Sequence, residues 1–192
     1  MLCASKFFYK WDLSVTTPRV YSGSQVWLHW MSTVVILWAL LSGFYMAVFD
    51  VAKNIKNGLA FFNISLTTLY IPFYIFRLYS SFFHGFSSGG KRRSLSDYMA
   101  LLVHKSIYMV LGVVLVTGVL MMDRPINVFN FLRIAQPLAD PVAIHGFTQV
   151  HIQACMVLLA LVVLHVGAVI VHESCGRPVL KNMGLSRSGD GK

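Results

Sequence analysis

His151 and His165 stand fourteen residues apart in residues 150–172, VHIQACMVLLALVVLHVGAVIVH, a run that is otherwise almost wholly apolar. At about 100° and 1.5 Å per residue, fourteen helical steps return to within roughly 40° of the same face, about 21 Å further along. One membrane-length helix would therefore carry an imidazole near each end, both on one side. Ionisable groups inside a membrane span are costly and are functional candidates by default. Imidazoles at two depths suit two stacked haems in a helical bundle. The plainer alternative is a pair of buried, hydrogen-bonded histidines.

The elements that would position such a pair follow from composition. The chain has 192 residues, 56% of them apolar and only 12% charged, with a mean hydropathy of +0.66. That is the make-up of a polytopic membrane protein, not of a soluble core. Cys3, Cys155 and Cys175 are far apart and form no CxxC. Neither a zinc ribbon nor a covalently attached haem is indicated, so any haem would be b-type, held by axial ligands and packing. No cleavable signal peptide is evident, because the apolar run starts only after Gln25.

Four spans are expected, at residues 25–49, 58–79, 98–122 and 150–172, as an all-α, up-down, four-helix membrane bundle. Residues 1–24 form an N-terminal segment, 25–172 the membrane domain and 173–192 a basic tail. Pro72 is expected to kink the second span. Residues 123–148, rich in proline and aromatics, suggest an ordered interfacial cap with room for a short helix. Basic residues concentrate in the N-terminal segment, in the second loop (HGFSSGGKRRS) and in the tail. The positive-inside rule then puts both termini in the cytoplasm. It also accounts for the net charge of +9 as a topology and lipid-headgroup signal, leaving little ground for nucleic-acid binding.

The fourteen-residue step recurs on every span: His29 and Gly43, Asn63 and Arg77, His104 and Gly118, His151 and His165. With alternating direction, the cytoplasmic level collects His29, Arg77, His104 and His165. The outer level collects Gly43, Asn63, Gly118 and His151. The cytoplasmic set suffices for a haem. Two of its three histidines would ligate iron, and His29 with His165 is the favoured pair. His104 is then the partner of a propionate or quinone, and Arg77 either meets a propionate or snorkels to lipid phosphate. At the outer level Gly43 and Gly118 leave room for a flat macrocycle, or simply let helices pack closely. His151 supplies one ligand. Asn63 faces it and is a poor ligand for haem iron, while His145 lies just outside, in the connection. Three outcomes stay open: a five-coordinate haem, a haem with an unusual sixth ligand, or no outer haem.

LHW in the first span, Arg77 fourteen after Asn63 in the second, VHxxxY in the third, DRPINVF after it and the paired histidines of the fourth together resemble the prokaryotic cytochrome b561 family, over roughly residues 20–183. The resemblance implies a four-helix bundle of the bacterial inner membrane with two b-type haems that exchanges electrons with quinone. By the same resemblance His29 and His165 hold the cytoplasmic haem and His151 the outer one. The family's remaining ligand falls at Asn63, where members have histidine.

An electron-transfer cytochrome between an outer-side donor and the quinone pool is the leading reading, an electron carrier more than a stand-alone enzyme. A superoxide:quinone oxidoreductase is the second, with Lys53, Lys56, Arg124 and Arg133 as cations near the outer haem. The third is the cytochrome b membrane subunit of a larger respiratory or dehydrogenase complex with a degenerate outer site, which would bring membrane or periplasmic redox partners. A transporter fits poorly: Arg77 and Lys105 are the only basic residues in the expected spans, and no inverted repeat is evident.

Overall fold

The structure is a computed structural model that describes residues 23–85 and 95–175. Most of the N-terminal segment, the basic part of the second loop and most of the tail lie outside the described residues. Four helices are long and apolar enough to cross a membrane: α1 (Gly23–Val48), α2 (Lys53–Gly85), α3 (Leu95–Leu120) and α4 (Pro141–Ser174). Between α3 and α4 lie two short strands, β1 (Ile126–Val128) and β2 (Leu132–Ile134). The bundle is as expected; the cap is not a short helix but an antiparallel β-hairpin pairing Ile126 with Ile134 and Val128 with Leu132.

α4 begins well before the apolar run that advertises it. The Asp140 carboxylate accepts from the backbone N–H of Val142 and Ala143, at 3.1 and 3.2 Å, and Pro141 opens the helix. Asp then Pro is a strong start signal, because the carboxylate satisfies orphan donors and proline has no N–H to lose. This corrects the placement of His145: it belongs to the second turn of α4, exposed, and not to a loop. α2 runs through Pro72 without ending. Hydroxyls within the spans are satisfied by their own helix, as lipid requires. Ser32, Thr67 and Thr117 donate to the carbonyls of Leu28, Asn63 and Val113 four residues back.

The four helices form two helical hairpins, α1 on α2 and α3 on α4, which meet chiefly through α2 against α3. Their shared core is an apolar plug of Leu40, Tyr70, Tyr74, Leu111, Leu115 and Leu158, with Ile36 packed against it. Leu158 is only 1% exposed. Gly112 lets α2 approach α3 here. A Cβ on it would stand 2.6 Å from the Tyr74 hydroxyl, which donates to the Tyr108 carbonyl at 2.8 Å. The lipid side shows large apolar residues, among them Trp27, Val34, Leu41, Phe76, Val116 and Val163.

The β-hairpin sits against α2. Ser65, wholly buried, donates to the Asn127 carbonyl and accepts from the Phe129 N–H, both at 3.1 Å. The Phe129 ring stands edge-on to Phe61 and Phe62. Phe129 and Asn130 have φ of 44° and 61°, a turn conformation that costs a Phe about 1–2 kcal/mol. The Ser65 clamp and the bond from the Asn127 amide to the Asn130 side chain at 2.7 Å hold it.

Candidate functional site

The plug orders the candidate residues by depth. Ile36, Tyr70, Leu111 and Leu158 pack in one cluster, and seven residues from each, along its own helix, stand the residues singled out above. Seven steps turn a helix by roughly 20° short of two full turns and advance it about 10 Å. In one direction this reaches His29, Arg77, His104 and His165; in the other, Gly43, Asn63, Gly118 and His151. Two levels therefore flank a dry middle.

At the first level Arg77 ties three helices together. Its Nη2 donates to His29 Nδ1 at 2.9 Å, its Nη1 to the Leu28 carbonyl at 3.4 Å and its Nε to the Tyr108 hydroxyl at 3.0 Å. The guanidinium carbon stands 5.2 Å from the Tyr108 ring centre. Arg77 is thus bound inside the bundle, with these acceptors in place of the lipid phosphate that snorkelling would give it. α3 and α4 contribute His104 and His165, whose rings meet edge to face with centres 4.7 Å apart. His104 Nδ1 donates to the Ala100 carbonyl at 2.8 Å. His29 is within electrostatic reach of Arg77, His165 and His104, so all four helices contribute to one cluster.

The second level is built differently. The His151 Nδ1 proton points to the Val114 carbonyl, 3.1 Å away, with Thr117 Oγ1 at 3.2 Å. A carbonyl can only accept, so the neutral ring carries its proton on Nδ1 and its free lone pair on Nε2. Metal-binding histidines are oriented in this way. The Cys155 thiol, one turn on, sits 3.5 Å from Nε2. A Cβ on Gly118 would come within 3.2 Å of His151 Cε1, so Gly118 makes room first of all for the imidazole. Gly43 faces open space, where an added Cβ meets nothing within 4 Å. On α2, Asn63 is held to Ser42 of α1 at 2.9 Å. His145, exposed on α4 six residues before His151, is turned roughly 120° from it and does not join this level.

Both levels suit a haem by donor chemistry. Histidines stand on α1 and α4, helices that hardly pack on each other, and at the second level an imidazole is anchored through Nδ1 with its Nε2 lone pair beside the Cys155 thiol. A family model for prokaryotic cytochrome b561 matches residues 20–185. The chain belongs to the prokaryotic cytochrome b561 family. Comparison with curated proteins gives no match. Family membership makes this a b-type haem, membrane-embedded electron-transfer protein.

Polar partners of these cytochrome b residues had no role assigned from sequence: Ser42, Thr117 and Cys155, and Tyr108, which entered only as the last residue of the VHxxxY motif. Tyr108 had a signal, since it follows His104 by four residues and so shares its helix face. The others read as ordinary span residues. Among Lys53, Lys56, Arg124 and Arg133, the cations expected near the second level, Arg124 is already paired with Asp123 at 3.1 Å.

Proposed function

We propose that this cytochrome b carries single electrons between a donor on the outer side and quinone in the membrane, with both termini in the cytoplasm. A cytoplasmic-side haem is held by His29 and His165, and an outer one by His151. The observation that carries the reading is His29 and His165 at one depth, on α1 and α4, helices that hardly pack on each other, with His151 at a second depth beyond a buried plug. When bound, each haem supplies the one-electron iron couple; the protein supplies ligation, burial and charge.

Arg77 has a specific task in this scheme. Its guanidinium only donates, so His29 now accepts on Nδ1. Ligation through Nε2 requires the His29 proton on Nδ1, and Arg77 must then find another acceptor. A propionate carboxylate is one, and a charge-assisted pair with it would be the stronger bond. His104 keeps its Nδ1 proton on Ala100 and presents Nε2 beside His165, as a partner for the ligand ring, a propionate or a quinone oxygen. An apolar groove on α1 and α2, lined by Trp27, Leu28, Pro72, Phe73 and Phe76 with Ser24, includes the residue before His29 and suits a quinone ring and its tail.

The test is the spectrum of protein purified in mild detergent, with a quinol as reductant. The wild type is expected to show b-type haem reducible by the quinol. His29→Ala and His165→Ala are each expected to lose the same haem. A preparation without haem overturns the proposal, and so does haem that the quinol leaves oxidised.

A further inference from the structure

The outer level holds a single imidazole among the described residues. His151 is anchored through Nδ1, and its Nε2 lone pair meets only the Cys155 thiol at 3.5 Å, a weak donor that iron would displace. Cys155 cannot stand trans to it, being one turn along the same helix and on the same side. His145 is on another face of α4. The side chain at matching depth on α2 is Asn63: it precedes Tyr70 by seven residues as His151 precedes Leu158, and Tyr70 and Leu158 pack in one plug.

Asn63 also has spare hydrogen-bonding capacity. Ser42 has one hydroxyl proton and two short acceptors before it, the Trp38 carbonyl at 2.6 Å and the Asn63 amide at 2.9 Å, with the Ala39 carbonyl further off at 3.4 Å. If the proton goes to Trp38, the amide turns its NH₂ to Ser42 and keeps one N–H and its carbonyl oxygen free. If it goes to Asn63, both amide N–H groups are free. In either orientation at least one donor has no partner among the described residues, at a depth where a lost hydrogen bond is expensive. Beside it Gly43 leaves open space.

We propose that the outer iron is five-coordinate on His151 and takes a small diatomic ligand, such as carbon monoxide or nitric oxide, at the depth where Gly43 leaves open space and the Asn63 amide can donate to it. Binding forms one iron–ligand bond and breaks none. The inference rests on the outer haem of the reading above. An amide is too weak a ligand to close the iron but a good donor to a bound diatomic. The thioethers one turn beyond the glycines of this level, Met46 on α1 and Met121 and Met122 after α3, are the groups that would compete.

The experiment is haem stoichiometry by pyridine haemochrome on the detergent-purified holoprotein, with reduced spectra before and after carbon monoxide. Two haems per chain are expected, with about half of the Soret absorbance shifting. Asn63→His is expected to keep both haems and abolish the shift. Asn63→Leu is expected to keep the shift and change the C–O stretching frequency, which reports the donor directly. Two haems with no shift overturn the inference while leaving the two-haem reading intact, and point to a thioether as ligand. A single haem without a shift overturns both.

Discussion

A carbonyl only accepts and a guanidinium only donates, and these two facts set the imidazole tautomers at both levels. His151 and His104 are fixed with Nδ1–H by the Val114 and Ala100 carbonyls. His29 is fixed the other way by Arg77. Gly118 is what lets His151 reach its carbonyl, since a Cβ there would stand 3.2 Å from the ring. Gly118→Ala asks the imidazole to yield by a few tenths of an ångström and is expected to shift the outer haem spectrum without losing it. Gly118→Leu is expected to lower haem content from two per chain toward one and to remove the carbon monoxide-sensitive fraction. Full haem content in Gly118→Leu would mean that His151 does not lie against α3 when it binds iron. The histidines were legible in the sequence because each breaks an apolar run. The partner of His151 was not, since a backbone carbonyl on another helix has no sequence signature.

At the scale of elements, the β-hairpin depends on one hydroxyl. Ser65 both donates to the hairpin and accepts from it, and it is wholly buried. Ser65→Ala strands a backbone carbonyl and a backbone N–H, at about 1–3 kcal/mol for each buried group left without a partner. Since each 1.4 kcal/mol is tenfold, amide exchange over residues 126–134 is expected to quicken by roughly tenfold or more, while the spans keep their protection. Unchanged exchange there would show that the aromatic contacts of Phe129 suffice. The spans themselves were readable from length and apolar content. The hairpin was not, because its turn, Phe129-Asn130, lacks the glycine that advertises positive φ. Nor was the start of α4, whose first turns are too polar to extend an apolar window. The Asp140-Pro141 pair carried that information and outweighs hydropathy as a local signal.

For the whole molecule, the periodicity of fourteen and the buried plug are two views of one design. Residues seven steps either side of the plug share a face and a depth, so a single helix repeat sets both candidate levels. What the repeat does not set is which level faces the cytoplasm; that rests on charge. Residues 1–22, 86–94 and 176–192 carry ten lysines and arginines, and the two opposite connections carry Lys53, Lys56, Arg124 and Arg133. Arginine and lysine beside spans are retained on the cytoplasmic side during insertion. Phe131, at the hairpin tip, is 96% exposed and so a reporter that disturbs little. With Cys3, Cys155 and Cys175 replaced by serine, Phe131→Cys is expected to react with a membrane-impermeant maleimide in right-side-out vesicles, and Gly90→Cys only in inside-out ones. The reverse pattern would put His151 at the cytoplasmic side and His29 with His165 at the outer one. The quinone-side assignment would then exchange levels, although the ligands would not change.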